Sequence, residues 1–164
     1  MSHTTPAGAR VETVGRVGFV VRGVAAPLWA RRAAVSLTLG RMISRGTYMA
    51  ALHSPAGEHE TQALRKRVAA VYYASRRMVS LRAAAACGGA MELHDLAGAT
   101  QRLSEAVRGM GATFPALSAV ADGLESRGAR HFLAAKLMAD TERMEAKRSR
   151  YTLESALLLT QEAR

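Results

Sequence analysis

The sequence predicts an all-α protein: a long antiparallel helical hairpin followed by shorter helices. Three observations carry this. Apolar or small residues recur at alternating steps of three and four along residues 58–110: Leu64, Val68, Val71, Ser75, Met78, Leu81, Ala85, Leu93, Leu96, Thr100, Leu103, Val107 and Met110. That spacing holds one seam on one side of a helix. Aromatic residues make up only 5% of the 164 residues, and the β-branched alternation of strands is missing. Ala, Leu, Met and Arg abound instead.

The elements follow in order. Residues 1–10 are small and polar and read as a disordered tail. A second stripe starts at Val14 and runs through Val17, Val21, Val24, Leu28, Val35, Leu39 and Met42. It predicts a helix of up to about 35 residues, roughly 50 Å long. Gly15, Gly18 and Gly23 weaken its first half, and Pro27 predicts a kink or a fresh start. Gly46 is the expected left-handed residue past its end, with a turn over 47–52 and a loop over 53–57. The next rod starts with Glu58 and Glu60 at the positive end of its dipole. Gly88 and Gly89 mark a bend or hinge within it. A rod of about 50 residues would span roughly 75–80 Å and must hide its stripe against a partner. Hairpin and following helices together make a core over 11–146, the hairpin taking 11–110. Gly109, Gly111 and Pro115 break the pattern, and further helices over 113–146 follow, weakened at Gly123 and Gly128. Residues 147–164 read as a separate C-terminal amphipathic helix.

Charge bounds the partners. The net charge is +10. Residues 1–56 hold seven arginines against the single acid Glu12, so the positive field sits at the front. Such a front suits a membrane face or a nucleic acid, and a plain solvated surface is the alternative. Arg10, Arg16, Arg22, Arg31 and Arg32 are the candidate lipid contacts. No apolar run is long enough to cross a membrane, and the arginines interrupt any signal peptide. The Arg-rich, acid-poor front fits a mitochondrial presequence, and that reading stays open. Cys87 is the only cysteine, so no internal disulfide forms. It lies in an Ala-rich run, where a buried, inert thiol is expected.

The search for reaction chemistry is negative. His3, His53, His59, His94 and His131 have no metal-like spacing among themselves. Cys87 has no histidine within a helical turn. Gly109-Met110-Gly111 has neither the strand nor the third glycine of a dinucleotide loop. The expectation is a protein that is not an enzyme, with no cofactor, metal or small-molecule substrate.

Several runs resemble the charged multivesicular body proteins, the subunits of the ESCRT-III membrane-remodelling polymer. The resemblance spans about residues 43–125. It starts at Ile43-Ser44-Arg45-Gly46, like the basic-Gly break between that family's first two helices, and continues through Leu64-Arg65-Lys66-Arg67. Its core is Met91-Glu92-Leu93-His94-Asp95-Leu96-Ala97-Gly98-Ala99-Thr100-Gln101-Arg102-Leu103, then Val107-Arg108-Gly109-Met110-Gly111. Residues 117–125 are similar to the helix that follows in the family. The first helix departs from the family in having few Lys and Glu, and Gly111 stands where Asn is common. An acidic tail and a helix that recruits an AAA ATPase usually follow, and only Glu154, Leu157 and Arg164 resemble that helix.

The resemblance implies a peripheral, cytoplasmic subunit on endosomal membranes that takes part in multivesicular body sorting, with copies or paralogues and possible AAA ATPase recruitment as partnerships. On this expectation Leu64, Val68, Val71, Met78, Leu96, Leu103, Val107 and Met110 hold the hairpin. Leu96, Leu103 and Val107 are alternatively free for a neighbouring subunit. Two rivals stand beside it. One is a small helical accessory subunit of a mitochondrial membrane complex. The other is a basic helical nucleic-acid-binding protein, against which there is no interleaving of aromatics and bases for stacking.

Overall fold

A computed structural model describes residues 24–162 apart from 56 and 58, with side chains described up to Leu158. Its described residues form five helices and no strand. These are α1 (Leu28–Thr38), α2 (Arg45–Leu52), α3 (His59–Ala85), α4 (Ala90–Gly111) and α5 (Leu117–Glu162). The all-α class therefore stands, but the long helices are distributed differently from the expectation.

The fresh start at Pro27 holds. Pro27 caps α1, and its carbonyl accepts from the Ala30 and Arg31 amides at 3.0 and 3.1 Å. The helix is 11 residues long and does not reach Met42. It ends at Gly40, whose φ of 67° is left-handed. The Arg41 amide returns to the Ser36 carbonyl at 2.8 Å and the Gly40 amide to that of Leu37 at 3.0 Å. Those two bonds are the Schellman closure that glycine permits. Gly46, expected to play this part, sits inside α2. Ser44 outranks it as a signal, because its hydroxyl accepts from the Thr47 amide at 3.1 Å and starts a helix there. The part of the first stripe before Val24 lies outside the described residues.

The single rod expected over 58–110 is two helices of 27 and 22 residues folded against each other. The hairpin is thus α3 against α4. Gly88 and Gly89 reverse the chain rather than bend it. The Gly89 amide donates to Glu92 Oε2 at 2.8 Å, which caps α4. A Cβ on Gly88 would stand 2.5 Å from Glu92 Cγ and 2.8 Å from its Cβ, so the cap leaves no room for a side chain. Cys87 lies on this turn and is exposed. The expectation of a buried thiol fails because the Ala run ends the helix instead of packing inside it.

The pieces expected over 113–146 and 147–164 are one continuous helix, α5, of 46 residues. Gly123 and Gly128 do not break it. Gly128 faces α4, where a Cβ would lie 3.5 Å from the Ala97 carbonyl and 3.6 Å from the Gln101 amide. Close approach of two backbones explains the small residue there.

The core lies between α3, α4, α1 and the first third of α5. Leu64, Val68 and Val71 of α3 meet Leu103, Val107 and Met110 of α4, with Phe114 and Leu117 closing one end. The α1 face of Trp29, Ala30, Ala33, Ala34 and Leu37 covers this core. Leu96 is buried as well, and Met78 packs against the core half-buried. Leu96, Leu103 and Val107 are therefore spent inside the chain, which removes them as contacts for a neighbouring subunit. Tyr48 of α2 stacks on Tyr72 at 4.2 Å between ring centroids, and shares a hydrogen bond with Tyr73 at 2.7 Å. Arg76 donates to the Tyr72 hydroxyl at 3.0 Å. The two contacts of Tyr48 fix α2 to α3.

Burial sets the cost of truncation. Met110 is fully buried, whereas Met91 is 73% exposed. Met110→Ala is expected to destabilise the fold by about 2–5 kcal/mol. Met91→Ala should stay within about 0.5 kcal/mol. Urea denaturation followed by circular dichroism measures both, and equal losses would contradict this core.

A candidate basic cleft and an overhanging helix

The seam between α4 and α5 positions both surfaces of interest. The two helices run antiparallel with a traceable register. Arg108 pairs with Asp122 and Glu125 at 2.9 and 2.6 Å. Ser104 Oγ donates to the Ala121 carbonyl at 2.8 Å, fully buried. His94 lies against Phe132, and Gly89 faces the Glu142 carboxylate. Because α4 starts at Ala90, α5 has no α4 residue beside it after about Glu142. Some 20 residues, roughly 30 Å of helix, continue beyond the bundle. All described side chains from Asp140 to Leu158 are exposed.

The first surface is a cleft of about 320 Å³ where the α1–α2 link meets α3 and α5. Arg41 and Arg127 line it together with Ser75, Met78, Leu103 and Val120. Arg82 of α3 and Arg130 of α5 lie close enough to act on His131, one turn beyond Arg127. Among the described residues none of these four arginine side chains makes a hydrogen bond or ion pair. The carboxylates explain why. Residues 24–55 contain no acid, and α3 has only Glu60, in its first turn. The first two acids of α5, Asp122 and Glu125, point to the other side of the helix and are held by Arg108. The cleft is therefore cationic and unneutralised, a setting in which anions gain from several charges at once.

His131 reports that field. Its pKa lies below the ordinary histidine value, chiefly because burial penalises the charged ring, and further because Arg127, Arg130 and Arg82 repel a proton. The fold thus favours neutral His131.

The arginines singled out from the sequence are scattered by the structure. Arg10, Arg16 and Arg22 lie outside the described residues. Arg32 is exposed on α1. Arg31 is half-buried, with a buried Nε that has no hydrogen-bond partner, so it faces the protein more than a lipid surface. The cleft arginines were missed because they come from three segments far apart in sequence. The available signal was the long acid-free tract from Thr61 to Met91. Glu154 and Leu157 both sit exposed on the overhang.

The chemistry suits electrostatic binding. Among the described residues no group of His, Cys, Asp and Glu is placed to hold a metal ion, and no helix is long and apolar enough to cross a membrane. No family model matches the chain, and no curated protein or solved structure is significantly similar to it.

A depressed histidine pKa has a defined consequence for stability. The His131 contribution is complete above about pH 6.5, the unfolded value. It is lost as the pH falls below that, because the unfolded chain takes up the proton first. Chemical denaturation between pH 5 and 8 should show this slope, and His131→Gln should flatten it. An anion in the cleft offsets the arginine field, so NMR titration with inorganic phosphate should move the His131 pKa upward. A His131 pKa indifferent to phosphate would count against the cleft as an anion site.

Proposed function

We propose that this chain is a subunit of the ESCRT-III kind, which lays an arginine face on an anionic membrane and assembles there. The observation that carries the reading is Arg41 and Arg127 lining one cleft, with Arg82 and Arg130 joining Arg127 around the adjacent His131, drawn from three segments with no carboxylate among them. Each base held near an anionic leaflet contributes on the order of 1 kcal/mol. Four such bases hold one chain weakly, and assembly multiplies the attachment.

Other features support the reading. The fold is all-α, as the resemblance implies, although its hairpin is α3 against α4 and not the pair of helices that the resemblance sets on either side of residues 43–46. The Met91–Leu103 run that carries the resemblance forms most of α4. Glu154 and Leu157, which resemble part of the family's ATPase-recruiting helix, stand exposed on a projecting helix. Membrane remodelling in endosomal sorting follows from the resemblance and belongs to this proposal. A nucleic-acid ligand is the competing occupant of a cationic cleft, and the test separates the two.

The test uses full-length protein, vesicles of phosphatidylcholine with and without phosphatidylserine, and duplex DNA. The chain is expected to sediment with acidic vesicles only, and to form filaments or tubules on them in negative stain. Arg82→Glu with Arg127→Glu should weaken binding by tenfold or more and leave helicity intact, since roughly four charge units change in favourable field. Equal binding to neutral vesicles, or DNA binding that outlasts vesicle binding as salt rises, would overturn the proposal.

A further inference from the structure

The part of α5 beyond the bundle carries its own pattern. Met144, Lys147, Tyr151, Glu154 and Leu158 follow one another at steps of three, four, three and four. They form one stripe on the helix. In heptad terms, Met144, Tyr151 and Leu158 take every seventh position, and Lys147 and Glu154 take the second position of the same seam. The three apolar side chains are 67%, 70% and 62% exposed. Neighbouring residues Arg148, Thr152 and Ser155 flank Met144 and Tyr151 in a shallow concavity. A solvent-exposed α-helix that repeats large apolar residues every second turn is built to meet another helix.

The charges say which helix and in which direction. Residues 143–150 hold four bases, Arg143, Lys147, Arg148 and Arg150, against Glu145. Residues 151–158 hold Glu154 and no base. A parallel copy would place Lys147 beside Lys147 and Glu154 beside Glu154 within the seam. An antiparallel copy places the Lys147 end of each helix beside the Glu154 end of the other. It also sets the two helix dipoles against each other. Geometry permits this without rearrangement. The stripe lies on the side of α5 away from the α4 seam, and the segment 143–158 projects past the α3–α4 turn.

We infer that two copies of this chain pair through the overhanging part of α5, antiparallel, with the two-fold axis within a turn of Tyr151. The contact is isologous: each copy offers the same stripe. Tyr151 sits at its centre, Met144 of one copy lies toward Leu158 of the other, and Lys147 and Glu154 pair twice across it. The overlap spans 16 residues per chain, about 24 Å. This names the surface for the assembly half of the function proposed above and rests on that reading only there. The pairing needs no lipid, so it is measured without vesicles.

Sedimentation equilibrium of the full chain across a concentration series is expected to give a monomer–dimer equilibrium. Tyr151→Lys should abolish the dimer and keep the helix content of the monomer. Glu154→Lys alone and Lys147→Glu alone should each weaken dimerisation by about tenfold, and mixing the two variants should restore it. Direction is read by spin labels in a Cys87→Ser background. A label at Thr152 should give a short distance between copies, and one at Arg143 a distance longer by roughly 20 Å. A chain that stays monomeric, a dimer unaffected by Tyr151→Lys, or equal short distances at both labels would each overturn the inference. Failure here with intact vesicle binding removes the α5 pairing alone, whereas loss of vesicle binding with an intact dimer removes the membrane reading alone.

Discussion

The close approach of α4 and α5 is the constraint on which the rest of this structure depends. Two helices pack at short range only where their facing side chains are small. Here Ala97, Thr100 and Ser104 of α4 face Ala121, Gly128 and Ala135 of α5, all six of them buried. One hydrogen bond, from Ser104 to the Ala121 carbonyl, and one ion-pair cluster, of Arg108 with Asp122 and Glu125, fix the register. A net contribution of about 1 kcal/mol from the buried bond is modest. Its larger effect is to exclude a slip, since a shifted α5 would bury the Ser104 hydroxyl against a wrong partner.

Register then decides what faces outward. With Gly89 held beside Glu142, the length of α5 beyond the bundle follows from the difference between a 46-residue helix and its 22-residue partner. The same register turns Asp122 and Glu125 to one side and Arg127, Arg130 and His131 toward α3. Charge is thereby sorted around α5: the acids nearest the bundle are neutralised at Arg108, and the bases are left free over the cleft. Neither surface results from a local motif. Both follow from how one long helix is set against a shorter one.

Much of this was legible in the sequence. The three-and-four spacing of Leu64, Val68, Val71, Leu103, Val107 and Met110 picked out the core, because burial on one helix face leaves a period that composition cannot imitate. Pro27 marked a helix start because it has no amide to lose there. The reversal at Gly88-Gly89 was not legible. A stripe that continues in phase on both sides of a glycine pair reads the same whether the chain bends or folds back, and only the Glu92 cap and the α3–α4 packing separate the two. The continuity of α5 was hidden in the opposite way. Gly123 and Gly128 each disfavour helix by up to about 1 kcal/mol, yet packing against Ala97 and Gln101 makes a small residue useful at 128. The cleft arginines were missed because convergence of residues 41, 82, 127 and 130 is a property of the tertiary fold.

Amide hydrogen exchange along α5 in dilute solution, below the concentration of any self-association, tests the α4–α5 register most directly. Helices held by tertiary packing exchange slowly, and an unsupported helix frays. Strong protection is expected from Ala121 to about Ala139, falling steeply past Glu142 to near-free exchange by Tyr151. Uniform protection from Ala121 to Leu158, or none at Ala121 itself, would contradict the account.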